Sequence, residues 1–166
     1  MVTARLGEER IERVAQAWRV LAKVADPELP ALSVCELGMI REVRESAGTV
    51  EIVFTPTYSG CPATEVIERA VREAVEAAGL GPARVIRRRL PPWTTDWMDE
   101  EGRRKLREHG IAPPGAATAH RPGEPVPCPR CGHVHSERLS AFGSTPCKAL
   151  YRCVACREPF EHLKPI

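Results

Sequence analysis

Two C-x-x-C pairs near the carboxyl end, Cys128-Pro129-Arg130-Cys131 and Cys153-Val154-Ala155-Cys156, constrain this chain more than any other feature. Each pair sets two sulfurs one turn apart, so both can face one cation. Two such knuckles complete a tetrahedral four-sulfur shell, the coordination that zinc and other soft ions favour. The 21 residues between the pairs exceed the usual zinc-ribbon spacing by one. That departure is small, because the intervening stretch only has to loop back. Disulfides are the poorer reading. A C-x-x-C loop strains an S–S bond, and seven cysteines with no apolar signal segment point to a reducing cytosol. The expected ligands are therefore Cys128, Cys131, Cys153 and Cys156, around a structural zinc.

A tail of about 40 residues buries too little apolar surface to fold unaided. A structural ion supplies the missing free energy, on the order of 10 kcal/mol. The organisation predicted is a packed domain over residues 1–111, a linker over 112–127 and a metal-stapled mini-domain over 128–166. The linker carries five prolines and two glycines. A net charge of +2 does not by itself imply a polyanionic partner. No run approaches the roughly 20 apolar residues that a bilayer span requires.

Upstream, Ile11, Val14, Ala15, Trp18, Leu21, Ala22 and Ala25 recur in steps of three and four, which predicts an amphipathic helix over 8–25. The run Asp26-Pro27-Glu28-Leu29-Pro30 stops it. Residues 39–44 and 49–55 read as strands joined by a hairpin turn at Ser46-Ala47-Gly48, with Val50, Ile52 and Phe54 on one face. A second helix follows Cys61-Pro62 and stops at Gly79, with Val66, Ile67, Ala70, Val71, Ala74, Val75 and Ala78 on one side. Residues 84–90 form a third strand, parallel to the second because a helix joins them. A charged helix spans 99–109, with Thr94, Thr95 and Asp96 as its expected cap. Helices on a short mixed three-stranded sheet, followed by a zinc ribbon, make an α+β fold.

Cys61 precedes Pro62, which suits a first helical position. A thiol there meets the free amides and partial positive charge of a helix start, which favour a thiolate able to hold a metal or cluster transiently. The alternative is a half-buried cap residue with an ordinary thiol. Thr55, Thr57, Tyr58 and Ser59 can line a polar pocket beside it. No base adjoins in sequence, so a cysteine-hydrolase site is the weaker reading. Cys35, between Val34 and Glu36, reads as a core residue. Cys147 has three readings: an alternative ligand, a transfer thiol aided by Lys148, or a buried filler. His133 and His135 read as surface residues. Arg130, Lys148, Arg152 and Arg157 are placed to offset the net charge of −2 on a zinc tetrathiolate.

The segments Asp26-Pro27-Glu28-Leu29-Pro30, Ser33-Val34-Cys35-Glu36-Leu37-Gly38-Met39-Ile40 and Thr57-Tyr58-Ser59-Gly60-Cys61-Pro62 resemble the SufT-like domain of iron–sulfur assembly and targeting proteins. With Pro92-Trp93-Thr94-Thr95-Asp96-Trp97 and Phe142-Gly143-Ser144-Thr145-Pro146-Cys147-Lys148, the chain resembles the PaaD (PaaJ) family. Its members are encoded with the phenylacetyl-CoA ring epoxidase of phenylacetate catabolism. Cys35 and Glu36 stand where the wider family more often has an aliphatic residue and an Asp.

The resemblance implies a cytoplasmic, non-catalytic accessory role. The family would assist insertion of iron or an iron–sulfur cluster into the oxygenase or reductase subunits, with the iron–sulfur assembly machinery as a further partner. Cys61 would be the transient ligand. No glycine-rich nucleotide fingerprint or pair of Glu-x-x-His motifs marks this chain as the reductase or the di-iron oxygenase itself. Two alternatives remain open: a structural subunit of the oxygenase, and a rubredoxin-like electron carrier with iron in the ribbon. Nucleic acid and membrane are not expected partners. The basic clusters Arg84, Arg87, Arg88, Arg89 and Arg103, Arg104, Lys105, Arg107 are expected to face Asp96, Asp99, Glu100 and Glu101. Trp93 and Trp97 either fix the loop over the sheet end or anchor a partner.

Overall fold

Ala47 and Gly48 both adopt positive φ, 50° and 81°. That pair makes the tight turn whose twist matches two antiparallel strands. It joins β1 (Ile40–Ser46) to β2 (Thr49–Phe54) in a computed structural model that describes residues 2–58, 63–116 and 125–166, with side chains from residue 7 onward. The register runs from Ser46↔Thr49 to Ile40↔Phe54, with a bulge between Ile40 and Glu42. The helix α1 (Val2–Leu21) precedes this hairpin, and α2 (Thr64–Ala77) carries the chain to β3 (Ala83–Arg87). β3 lies parallel to β2, giving the expected mixed sheet in the order β1-β2-β3. Gly79 takes the left-handed conformation, φ 71°, and ends α2 as predicted.

Val50, Ile52 and Phe54 are wholly buried, and Ile67, Val71 and Val75 of α2 are buried with them. Each such side chain contributes about 1.5–3 kcal/mol. The helical stripes are narrower than the periodicity implies. In α1 the buried positions are Ala17 and Leu21; Trp18 is half-buried and Ile11 is 71% exposed. In α2, Val66 is 55% exposed.

Between α1 and β1 the chain turns on side-chain oxygens. Asp26 accepts from the amides of Glu28 and Leu29, both at 2.8 Å. Burial raises its pKa even though these two donors pull it down. Ser33 and Glu36 cap each other's amides at 3.2 and 2.7 Å, the reciprocal box that an S-x-x-E run encodes. Leu32, Val34 and Leu37 take the core positions here, which leaves Cys35 only half-buried. The expectation of a core cysteine is corrected accordingly. Trp93 is buried and its indole N–H donates to Leu37 O at 2.8 Å, so it fixes the loop.

The chain forms two compact units, Met1–Trp93 and Thr94–Ile166. In the second, a 3-10 turn (Thr95–Trp97) leads into α3 (Glu100–Glu108). Thr94 caps the turn and Asp99, not the Thr94–Asp96 run, caps α3, accepting from Gly102 N at 2.7 Å. Four strands follow: β4 (Ile111–Ala112), β5 (Ser136–Ser140), β6 (Lys148–Cys153) and β7 (Pro159–Leu163). Their sheet order is β4-β7-β6-β5, with β4 parallel to β7 and the other pairs antiparallel. Ala112, Val126, Cys128, Cys153 and Phe160 form its core, with Tyr151 packed on them.

The first compact unit thus ends before α3, and the chain from Thr94 onward packs with the strands that follow. The reason is a set of local bonds. Thr95 N and Thr94 Oγ1 both donate to Ile166 O, and the Arg103 guanidinium reaches Thr95 O and Pro114 O. The expected linker also carries a buried residue near each end, Ala112 and Val126. Its central residues 117–124 lie outside the described residues.

Candidate metal centre

The two knuckles repeat one local design. Cys128 N donates to His133 O at 2.9 Å, and Cys153 N donates to Glu158 O at 3.1 Å, each closing a loop onto the residue five positions on. Such a loop reverses the chain just after its second cysteine, which requires a positive φ there. Gly132 supplies it at 74° in the first knuckle. In the second, Arg157 adopts 65°, a conformation that costs a residue with a Cβ about 1–2 kcal/mol. Sequence reading passed over this position, although the glycine after Cys131 was its signal.

The strands then bring the halves together. Ser136 pairs with Cys153, and Val154 N donates to His135 O. Cys128, Cys131, Cys153 and Cys156 place their sulfurs within 4.8 Å of one another. Cys128 Sγ lies 3.8 Å from Cys156 Sγ, and Cys131 Sγ lies 3.6 Å from Cys153 Sγ. A tetrahedron with metal–sulfur bonds of about 2.3 Å has edges of about 3.8 Å. A disulfide would need about 2.05 Å. Cys128 and Cys153 are buried; Cys131 and Cys156 are exposed.

Electrostatics agree with a cation. Burial works against a thiolate at Cys153, but the amides of Cys156 and Ala155 and the neighbouring thiols outweigh it and bring the pKa down to about 6. At Cys156 the Glu158 amide favours the thiolate, yet burial and three neighbouring sulfurs push the pKa up to about 12. One negative sulfur is welcome there and its neighbours are resisted, so four thiolates require a positive ion among them. The donor set fits zinc, and these four cysteines would hold it. The ion would supply cross-linking of two chain segments.

Of the four basic residues expected to offset this charge, three have other neighbours. Arg130 lays its guanidinium against Gly110, with Nη2 3.4 Å from the point a Cβ would occupy. That is the carboxyl end of α3, where a cation is favoured. Arg152 pairs with Glu137 at 2.8 Å. Lys148 is buried and pairs with Glu161 at 2.8 Å. It sits at the far end of β6 from Cys153, about 17 Å along an extended strand, so it does not serve the knuckles. The loop before it folds over this pair: Gly143 N donates to Lys148 O, and a Cβ on Gly143 would lie 2.6 Å from Glu161 Oε1. Glu161, absent from the sequence reading, is thus the partner that explains Gly143 and Lys148.

Cys147 is half-buried, with its sulfur 3.0 Å from Thr145 Oγ1, and stands outside the four-sulfur group. His133 is half-buried and His135 exposed, with ring centroids 5.8 Å apart. The first basic cluster meets other acids than expected. Arg87 forks onto Glu68 at 2.6 and 2.9 Å, Arg84 meets Glu51 and Arg88 meets Glu42. Arg104 does pair with Glu101, and with Glu108. Cys61 lies outside the described residues. At the end of β2, Thr55 buries a hydroxyl that finds no hydrogen-bond partner among them.

Residues 14–85 match the model of an iron–sulfur cluster assembly protein family, and residues 112–164 match that of the PaaD zinc beta ribbon domain. A crystal structure of the domain of unknown function DUF59 from Bacillus anthracis is similar to 60% of the chain and 96% of its own, with TM-score 0.56 and 22% identity. That likeness shows the fold. The class is therefore a two-module protein, an iron–sulfur assembly domain followed by a zinc ribbon. An Escherichia coli (strain K12) protein, named as one subunit of a "Putative 1,2-phenylacetyl-CoA epoxidase", is 50% identical over 156 residues, 93% of this chain and 94% of that one. The chain belongs to the PaaD family of phenylacetyl-CoA epoxidase subunits. No helix among the described residues is long and apolar enough to cross a membrane.

Proposed function

We propose that this chain is a cytoplasmic, non-catalytic maturation factor that helps load iron or an iron–sulfur cluster into a subunit of a phenylacetyl-CoA epoxidase. One observation carries the reading: an iron–sulfur assembly domain and a PaaD ribbon are joined in a single chain. The oxygenase and reductase subunits are the proposed clients, and the iron–sulfur assembly machinery the proposed donor. The ribbon sulfurs are spaced for one resident ion, so transient duty falls to another thiol. Cys61 is that thiol, three residues before α2, whose cap residue Ala63 offers no side-chain hydrogen bond to the helix start.

The test replaces Cys61 with Ser in cells and measures iron and sulfide in the reductase purified without oxygen. Zinc content and fold of the variant are expected to be unchanged, while cluster content of the client and ring-epoxidase activity fall. Full cluster content beside the variant would sink the proposal. Fixed-stoichiometry co-purification with the active oxygenase would favour the structural-subunit reading instead. A rubredoxin-like carrier draws on the exposure of Cys131 and Cys156, through which an electron could leave. An iron tetrathiolate is coloured, whereas zinc protein is colourless.

A further inference from the structure

The four cysteines of the cage differ in how far solvent reaches them. Cys128 and Cys153, the first of each knuckle, are buried, whereas Cys131 and Cys156, the second of each, are exposed. The residues that follow the outer pair, Gly132 and Arg157, are exposed as well. A small solute can therefore approach one sulfur of each knuckle while the other stays beneath it.

Across the cage an outer sulfur stands next to an inner one. Cys131 Sγ lies 3.6 Å from Cys153 Sγ, and Cys156 Sγ lies 3.8 Å from Cys128 Sγ. These two contacts use each sulfur once, and both run from the first knuckle to the second. Closing either into a disulfide shortens it to about 2.05 Å. The ladder already holds the knuckles side by side, through Ser136↔Cys153 and the bond from Val154 N to His135 O. Side-chain rotation with a small shift of one loop is then enough. A bond within a knuckle must instead close a C-x-x-C loop whose backbone is pinned. In the first, Gly132 N donates to Cys128 O and Cys128 N donates to His133 O, both at 2.9 Å.

We propose that the cage is a redox switch that responds to hydroperoxides, its oxidised form carrying two disulfides across the knuckles, one joining Cys131 to Cys153 and the other Cys156 to Cys128. The Cys131 thiolate attacks one peroxide oxygen and the O–O bond breaks. The sulfur becomes a sulfenic acid, and the other oxygen leaves as hydroxide, which takes a proton to give water. The Cys153 thiolate then attacks that sulfur, forming the S–S bond and expelling a second hydroxide, which is protonated likewise. Cys156 and Cys128 repeat these steps with a second peroxide. Only the thiolate is a metal ligand, so the oxidised sulfurs give up the ion. The knuckles then stay tied by covalent bonds in its place. The switch is independent of any role of Cys61.

The test treats the full zinc-loaded chain with hydrogen peroxide and follows zinc with a chromogenic chelator. A second chain carries Cys35→Ser, Cys61→Ser and Cys147→Ser, which leaves the cage sulfurs as its only thiols. Both chains are expected to lose their zinc, the second at about two peroxides per ion. A dithiol reductant with added zinc is expected to restore binding. Mass mapping after digestion without reduction is expected to find the peptides of residues 128–131 joined to those of residues 153–156. Zinc retained by both chains under about a tenfold excess of peroxide, bonds confined within each C-x-x-C pair, or sulfinic acids in place of disulfides would each overturn the inference.

Discussion

In Met1–Trp93 the interior is hydrocarbon: Leu21, Leu32, Leu37, Met39, Ile52, Phe54 and Ile67 are among its fully buried side chains. In Thr94–Ile166 the core is smaller and partly sulfur, built from Ala112, Val126, Cys128, Cys153 and Phe160. Of the twelve largest fully buried side chains among the described residues, only Leu106 belongs to the second unit. Packed methylenes give stability in small, distributed increments. A metal cage concentrates it in four atoms. The contrast teaches that a metal held by the four cysteines would tie the second unit's fold to ion supply, whereas the first unit's packing does not call on it.

The sharpest way to break this contrast is Cys128→Ser. Loss of the cage removes on the order of 10 kcal/mol from the second unit. Zinc is expected to be released and residues after Trp93 to become protease-sensitive, while the first unit keeps its folded signals. Protease resistance of a zinc-free second unit would refute the division. Ile67→Ala should act in the opposite sense, lowering stability of the first unit by about 2–5 kcal/mol with bound zinc unchanged. Parallel denaturation and zinc titration of the same sample check both at once.

The smallest expected effect concerns Asp26. Its folded pKa is raised by burial, so the protonated form suits the fold. Stability from this group is full below the ordinary carboxylate pKa and is lost as pH rises through the raised value. Asp26→Asn keeps an oxygen for the Glu28 and Leu29 amides and removes the charge. It is expected to melt slightly higher than the parent at neutral pH, with the advantage vanishing in acid. A lower melting temperature at pH 7 would show that the two amides outweigh burial.

The sulfur ligands and the β1–β2 hairpin were legible in sequence because their signals are local. Two C-x-x-C pairs and an Ala-Gly turn depend on neighbours a few positions away. The mixed sheet followed from a helix standing between two strands. Other features depend on what lies opposite. The two-residue strand Ile111–Ala112 is too short to show a period, yet it ties the α3 end of the chain to β7. Lys148 reads in sequence only as a neighbour of Cys147, whereas its ion-pair partner, Glu161, lies on the adjacent strand. Ile11 and Val66 belong to helical stripes but stay exposed among the described residues.

The pairing of Ser136 with Cys153 carries a consequence for how the ribbon is assembled. Each knuckle is shaped by its own backbone bonds and offers two sulfurs, too few to retain an ion firmly. Sliding β5 by one residue against β6 would turn every side chain to the opposite face and set the two half-cages out of line. Only one alignment of the strands closes the cage. A cation held by the four cysteines would thus proofread the sheet: a misaligned ribbon would offer it only half a cage, and an aligned one a complete cage.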